Sequence, residues 1–210
     1  MKKLLSVLTV GAAIAAAFTP ASAQVNTVPQ VGVYQGYVSK ATYRAVSIGL
    51  VPAASATDIF CIAGSATKTV KVQELRVGGS AGTLITTPVT VLRRASVDTG
   101  GTAAGTTANP ANTIGKMDSS IAAATATLIA YTANPTVNDS SPTYLATSAI
   151  TFPVTSAATS APGYTFAFGN YGAQAQPLVL RGAAEQACVN LGGASISSGV
   201  LGVTIQWTEE

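Results

Sequence analysis

The sequence predicts an all-β protein, an antiparallel β-sandwich of jelly-roll type with about 9–10 strands. Three observations carry this expectation. Short runs rich in Val, Ile, Thr, Tyr and Phe recur along the chain, and these residues suit a pleated, half-buried surface. Several of the runs alternate with a period of two. Breakers punctuate them: Gly78-Gly79-Ser80 to Gly82, residues 98–105, Asn134-Pro135, Ser140-Ser141-Pro142, Pro162-Gly163, Gly169-Asn170 and Gly192-Gly193.

Taken in order, Val31-Gly32-Val33-Tyr34 and Gly36-Tyr37-Val38 form a Tyr/Val-rich opening. Residues 45–50 alternate. Ile59-Phe60-Cys61-Ile62 is an apolar run between Asp58 and Gly64. Residues 67–77 alternate imperfectly, and a bulge near Gln73 brings Val70, Val72, Leu75 and Val77 onto one side. Val89, Val91 and Arg93 mark the next strand. Residues 121–131 read two ways: their alanines favour helix, whereas Thr125, Thr127, Ile129 and Tyr131 alternate, and strand is preferred. Residues 148–154, 164–168, 178–180, 187–191 and 200–207 complete the set. In the last, Val203, Ile205 and Trp207 alternate with Thr204, Gln206 and Thr208. Residues 96–112 read as a long surface loop and Ser195-Ile196-Ser197-Ser198 as a turn. No fixed-period repeat is visible, which disfavours a propeller or solenoid.

Ahead of this body stands a leader. Met1-Lys2-Lys3 is a short positive start, residues 4–18 are apolar and Ala-rich, and Ala21-Ser22-Ala23 is a small-x-small cleavage signal. The pattern is that of a signal peptide over residues 1–23. Residues 24–30 then form a flexible extension and residues 31–210 one sandwich domain. An uncleaved leader serving as an anchor is the alternative. No later run approaches the roughly 20 apolar residues that cross a bilayer. The expected location is secreted, periplasmic or cell surface. Cys61 and Cys188 then lie where disulfides persist, so one bridge is expected, with two buried free thiols as the alternative.

Composition excludes several kinds of chemistry. The chain has no histidine, 11 Lys+Arg and 8 Asp+Glu. Two of the lysines are in the leader, so the exported part carries a charge of +1. Such a surface argues against nucleic acid, which demands a basic stripe. Lys68, Lys71 and Arg76, and the pair Arg93 and Arg94, are the nearest approach to a basic patch and read better as strand-surface charges. Without histidine there is no Ser-His-Asp triad, Cys-His pair or His metal ligand. No P-loop, dinucleotide fingerprint or nucleophile elbow occurs, and no cofactor is implied. Asp98-Thr99-Gly100 has the Asp-Thr-Gly of aspartic proteases but lacks a second copy and stands in a polar loop. Asn138 and Asp139 are weak calcium candidates, since no Asp-x-Asp-x-Asp-Gly loop exists. A glycosidase pair among the eight carboxylates is not singled out. The reading is therefore non-catalytic, with no catalytic, cofactor or metal residues.

Aromatic residues offer a second possibility. Tyr34, Tyr37 and Tyr43 precede the first long strand. Tyr164, Phe166 and Phe168 share one strand face, which reads first as core and second as a stacking platform for sugar rings. Trp207 continues an apolar alternation and reads as core. Tyr34, Tyr37 and Tyr164 are the candidate ligand contacts.

Six stretches stand out: Asp58-Ile59-Phe60, Gly64-Ser65-Ala66-Thr67-Lys68-Thr69-Val70, Arg94-Ala95-Ser96-Val97-Asp98-Thr99-Gly100-Gly101-Thr102, Tyr131-Thr132-Ala133-Asn134-Pro135, Val179-Leu180-Arg181-Gly182 and Ile205-Gln206-Trp207-Thr208-Glu209-Glu210. Together, over residues 56–210, they resemble uncharacterised tailed-phage and prophage structural proteins. The resemblance implies a β-sandwich virion or surface component with no active site. The leader departs from it, because virion proteins normally assemble in the cytoplasm, and favours a bacterial surface protein. The expected function is an exported structural subunit of a surface, extracellular or virion-like assembly, with self-association or other structural subunits as partners. A secreted carbohydrate-binding sandwich is the alternative. In a donor-strand version residues 25–38 would be exchanged, but Pro29, Gly32 and Gly36 interrupt that segment.

Overall fold

The computed structural model describes residues 40–103, 114–154, 163–169 and 176–210. The chain partitions into Met1–Val38 and Ser39–Glu210, and the described residues belong to the second unit. The leader, the extension, the 31–38 opening and the donor-strand segment lie outside the described residues.

The fold is all-β, as the sequence predicts. Strands β1 (Ala41–Leu50), β3 (Thr69–Ser80), β6 (Ile114–Lys116), β9 (Gly163–Ala167), β10 (Leu178–Arg181) and β12 (Val200–Glu209) form one sheet. Its order is β10-β3-β12-β1-β6, with β9 also on β3. Strands β2 (Ala56–Ala63), β4 (Ile85–Arg94), β5 (Thr102–Ala103), β7 (Thr127–Ala133), β8 (Thr143–Phe152) and β11 (Gln186–Ala194) form the other. That order is β5-β7-β2-β11-β4-β8. The named strands pair antiparallel throughout. The principal strands give β1-β12-β3-β10 opposite β2-β11-β4-β8, the wiring of a jelly roll, with β5, β6 and β7 inserted between β4 and β8.

Each principal strand follows from its sequence. In β12, Leu201, Val203, Ile205 and Trp207 face the other sheet and are buried, while Gly202, Thr204 and Gln206 are half-exposed. The bulge expected near Gln73 is present: Gln206 opposes Glu74 and Trp207 opposes Val72, so Gln73 is the extra residue. It re-phases β3 so that Val70, Val72, Leu75 and Val77 are all buried. Just beyond, Gly79 has φ +150°, and an added Cβ would stand 2.4 Å from the Val200 carbonyl oxygen. Only glycine lets β3 and β12 approach this closely there.

Two apolar clusters hold the unit. The larger lies between the sheets and includes Tyr43, Phe60, Leu75, Val91, Phe152, Val189 and Trp207. Tyr43 stacks on Trp207 with ring centroids 5.6 Å apart. The smaller comprises Cys61, Leu92, Tyr131 and Cys188. These alternate with Phe60, Ile62, Val91, Ala130, Ala187 and Val189 of the larger cluster, so they occupy the opposite, outer face of the second sheet. Strand β2 is buried on both faces, which explains why its sequence is a continuous apolar run rather than an alternation.

The 121–131 region differs in part from expectation. Strand β7 starts at Thr127, and residues 121–126 form no ladder. The predicted 96–112 loop contains the two-residue β5, and its residues 104–112 lie outside the described set.

Candidate functional site

The outer face of the second sheet carries the densest chemistry among the described residues. Cys61 and Cys188 stand opposite each other on β2 and β11 and form the disulfide. Beside it, Asp58 of β2 accepts a hydrogen bond from Arg94 Nε at 2.7 Å on Oδ2 and one from Asn190 Nδ2 on Oδ1. Arg94, the last residue of β4, also donates from Nη1 to the Asp139 carbonyl oxygen at 2.8 Å. Asp98 Oδ1 lies 3.7 Å from Arg94 Nε. The side chains of Asp58 and Asp98 have no solvent exposure. Neither Asp98 oxygen has a hydrogen-bond partner, and Gln186 Nε2 is likewise buried and unpartnered.

A lid covers this cluster. After β4 the chain is strapped to the loop between β7 and β8. Asp139 Oδ2 accepts from Ala95 N at 2.8 Å, and Asn138 Nδ2 donates to the Val97 carbonyl oxygen at 2.7 Å. Thr99 and Thr136 exchange backbone bonds of 3.1 and 2.7 Å. Asn138 and Asp139, weighed above as calcium ligands, therefore brace the lid. Hydrogen bonds from the Ala95 and Ser141 amides hold the Asp139 carboxyl below its usual range.

The arrangement has little room for chemistry on a substrate. An oxygen of Asp58 and one of Asp98 lie within 4.8 Å of each other and of both sulfurs, a spacing compatible with metal ligation. The disulfide, however, removes both thiolates, and Arg94 already occupies the carboxylates. The Asp-Thr-Gly of residues 98–100 does find a second aspartate, Asp58, but both carboxyls are sealed from solvent, where no substrate reaches them.

Several basic residues are paired with acids. Lys68 lies 3.8 Å from Glu209, Lys71 and Lys40 pair with Glu210, and Arg94 pairs with Asp58.

The accessible feature is one flank of the sandwich. Strand β8 pairs with β4 on one side, and among the described residues nothing pairs with its other side. It is ten residues long, with neither charge nor proline. Residues 140–180 contain no Asp, Glu, Lys or Arg at all. On its outer face Thr147 and Thr151 form side-chain hydrogen bonds with Thr90 and Thr86, at 3.1 and 2.7 Å. At the same flank, Ala149, Ile150 and Thr151 line a cavity of about 220 Å³ together with Gly163 and Tyr164 of β9. Leu145 lines a second, of about 310 Å³, with Phe168, Pro177 and Leu178.

Of the candidate ligand contacts, Tyr34 and Tyr37 lie outside the described residues. Tyr164 is 43% exposed and packs edge-on against Phe166, whose own ring is buried. Tyr43 and Trp207 are core. Sequence reasoning missed Asp58, Arg94, Gln186 and Asn190 as a group. One signal was present: Gln186, Cys188 and Asn190 alternate, so the face of β11 that carries the disulfide is otherwise polar.

Among the described residues, no helix is long and apolar enough to cross a membrane. The disulfide fits a compartment outside the reducing cytoplasm. No family model, curated protein or solved structure matches the chain.

Proposed function

We propose that the chain is an exported, non-catalytic structural protein that joins neighbouring subunits through the β8 flank. The observation that carries this reading is the open edge itself. Natural sheets usually blunt exposed edges with short strands, lysine, proline or bulges. Here β6, β9 and β10 are short. Strand β8 is long, and after one bulge at Leu145 it runs unbroken through Ala146–Phe152. An uncharged seven-residue run, in which Thr147, Ile150, Thr151 and Phe152 favour strand, is a ready template for another strand. Its backbone groups supply affinity, and the two flank cavities accept side chains.

The partners are other copies of this chain or further structural subunits, and the assembly is a cell-surface, extracellular or virion-like one. The resemblance of residues 56–210 to phage structural proteins, read from the sequence, favours the particle version, and the leader favours export from a bacterium. The jelly roll alone does not decide, because the fold hosts lectins and particle subunits alike. The test is sedimentation of a cell-free culture supernatant, with electron microscopy of the pellet. Recovery in fibres or particles supports the reading, and recovery as soluble monomer removes it.

A second reading, a secreted carbohydrate-binding module, draws on Tyr164, whose exposed ring borders the 220 Å³ cavity. Glycan-array binding that is lost in Tyr164→Ala would favour it.

A further inference from the structure

We propose that Asp98 holds a proton that it donates to Asp58, and that this proton latches residues 95–101 over the disulfide and lets them go as the pH rises to neutrality. The inference concerns the buried cluster and is independent of the β8 flank.

The argument begins from unpaired atoms. Buried polar groups in folded proteins almost always find partners. Yet both Asp98 oxygens and Gln186 Nε2 are buried and unpartnered, side by side in one cluster. As a carboxylate, Asp98 has nothing to donate, and its neighbour Asp58 is an acceptor already engaged by Arg94 and Asn190. With both aspartates ionised, two negative charges face one guanidinium away from water. One added proton resolves the charge imbalance and the facing of two acceptors, and Gln186 is served in either state. The proton neutralises the cluster, makes Asp98 a donor to Asp58, and leaves the Asp98 carbonyl oxygen to accept from Gln186.

The surroundings agree on every side. Asp58 faces Asp98 from β2, Arg94 from β4, Tyr131 from β7, and Gln186 and Asn190 from β11. Asp139 touches the cluster through its carbonyl oxygen on Arg94, while its carboxyl points to the lid backbone. Burial, together with the adjacent Asp58 carboxyl and its charge, pushes the Asp98 carboxyl up to about 7, against Arg94 and Gln186. Burial and both aspartate charges also raise the Tyr131 phenol, so it stays neutral over this range.

The sign follows directly. An acid whose value is raised on folding gives the closed state an extra proton between its ordinary 3.8 and about 7. The stabilisation it supplies is complete below the lower value and is lost as pH climbs through the upper one. Asp98 lies on the lid, so the lid is what loosens. Its remaining straps at Ala95, Val97 and Thr99 involve no proton that titrates near neutrality.

The test is hydrogen exchange by mass spectrometry on the exported chain, wild type and Asp98→Asn, from pH 5 to pH 9, corrected for intrinsic rates. In the wild type, opening of residues 95–101 relative to β12 should rise by up to about tenfold per pH unit as pH approaches 7, then level off. In Asp98→Asn it should stay flat. Infrared spectroscopy of the wild type should show a buried protonated carboxyl at pH 5 that disappears by pH 9. Should Asp98→Asn fail to fold, the infrared band and Asp58→Asn, which also removes one negative charge, decide instead. Flat wild-type protection, an equal rise in either asparagine variant, or absence of the carboxyl band at pH 5 would overturn the proposal.

Discussion

Glu209 and Thr125, 84 residues apart in sequence, are joined by three hydrogen bonds: the Thr125 amide reaches Oε1 and Oε2 at 3.0 and 2.9 Å, and its hydroxyl reaches Oε2 at 2.7 Å. The Ala126 amide and the Trp207 indole add bonds of 3.0 and 3.1 Å to Oε1. One buried carboxylate thus replaces a strand ladder for the chain entering β7. Glu209→Ala leaves several donors buried without partners and is expected to cost roughly 3 kcal/mol. Urea denaturation checks it, and a loss below about 0.5 kcal/mol would contradict the assignment.

The same carboxylate shapes the acid side of stability. Burial alone would raise Glu209, but hydrogen bonds from Ala126, Thr125 and Trp207 outweigh it and hold the carboxyl below its ordinary value. A depressed acid supplies stability that is present above its unfolded value of 4.5 and is lost as pH falls through the lower folded one. The loss through Asp98 runs the opposite way, with rising pH. A urea midpoint measured from pH 2 to pH 9 should therefore peak near pH 4, fall on either side of it, and level off above about pH 7. Glu209→Gln should flatten the limb below the peak and Asp98→Asn the decline from there to about pH 7.

The Cys61–Cys188 bridge closes a segment of 127 residues. The chain-entropy model gives it roughly 5 kcal/mol. The double variant Cys61→Ala, Cys188→Ala should lose most of that in chemical denaturation while keeping its far-ultraviolet β spectrum. An unchanged midpoint would show that the bridge adds nothing to the sheet pairing.

Gly79→Ala tests the register of β3 on β12. The new methyl meets the Val200 carbonyl oxygen at 2.4 Å and the backbone sits at φ +150°. The expected cost is about 2–3 kcal/mol by thermal unfolding. Full tolerance would mean the two strands do not pair as described.

The strands were readable in the sequence wherever one face meets the core. Val203, Ile205 and Trp207 announced β12, and the broken phase around Gln73 announced its bulge, because a period of two leaves no other way to bury Val70 and Leu75 together. Residues 121–126 defeated local reading because the group that holds them, Glu209, lies on the last strand. The buried cluster was hidden for a similar reason. Asp58, Arg94, Asp98 and Gln186 come from three strands and a lid, and only the sheet order β2-β11-β4 makes them neighbours. The open edge was equally invisible: the uncharged run of residues 140–180 is plain, but that β8 stands last in its sheet is a fact of topology.

Sedimentation velocity over a wide concentration range, comparing residues 24–210 with their Thr147→Lys, Ala149→Lys variant, tests the proposed structural role most directly. Both positions are exposed, so the variant keeps its fold while two charges guard the edge. The account expects the wild type to associate as concentration rises and the variant to remain monomeric. A wild type that stays monomeric at every concentration, or a variant that associates equally well, would contradict it.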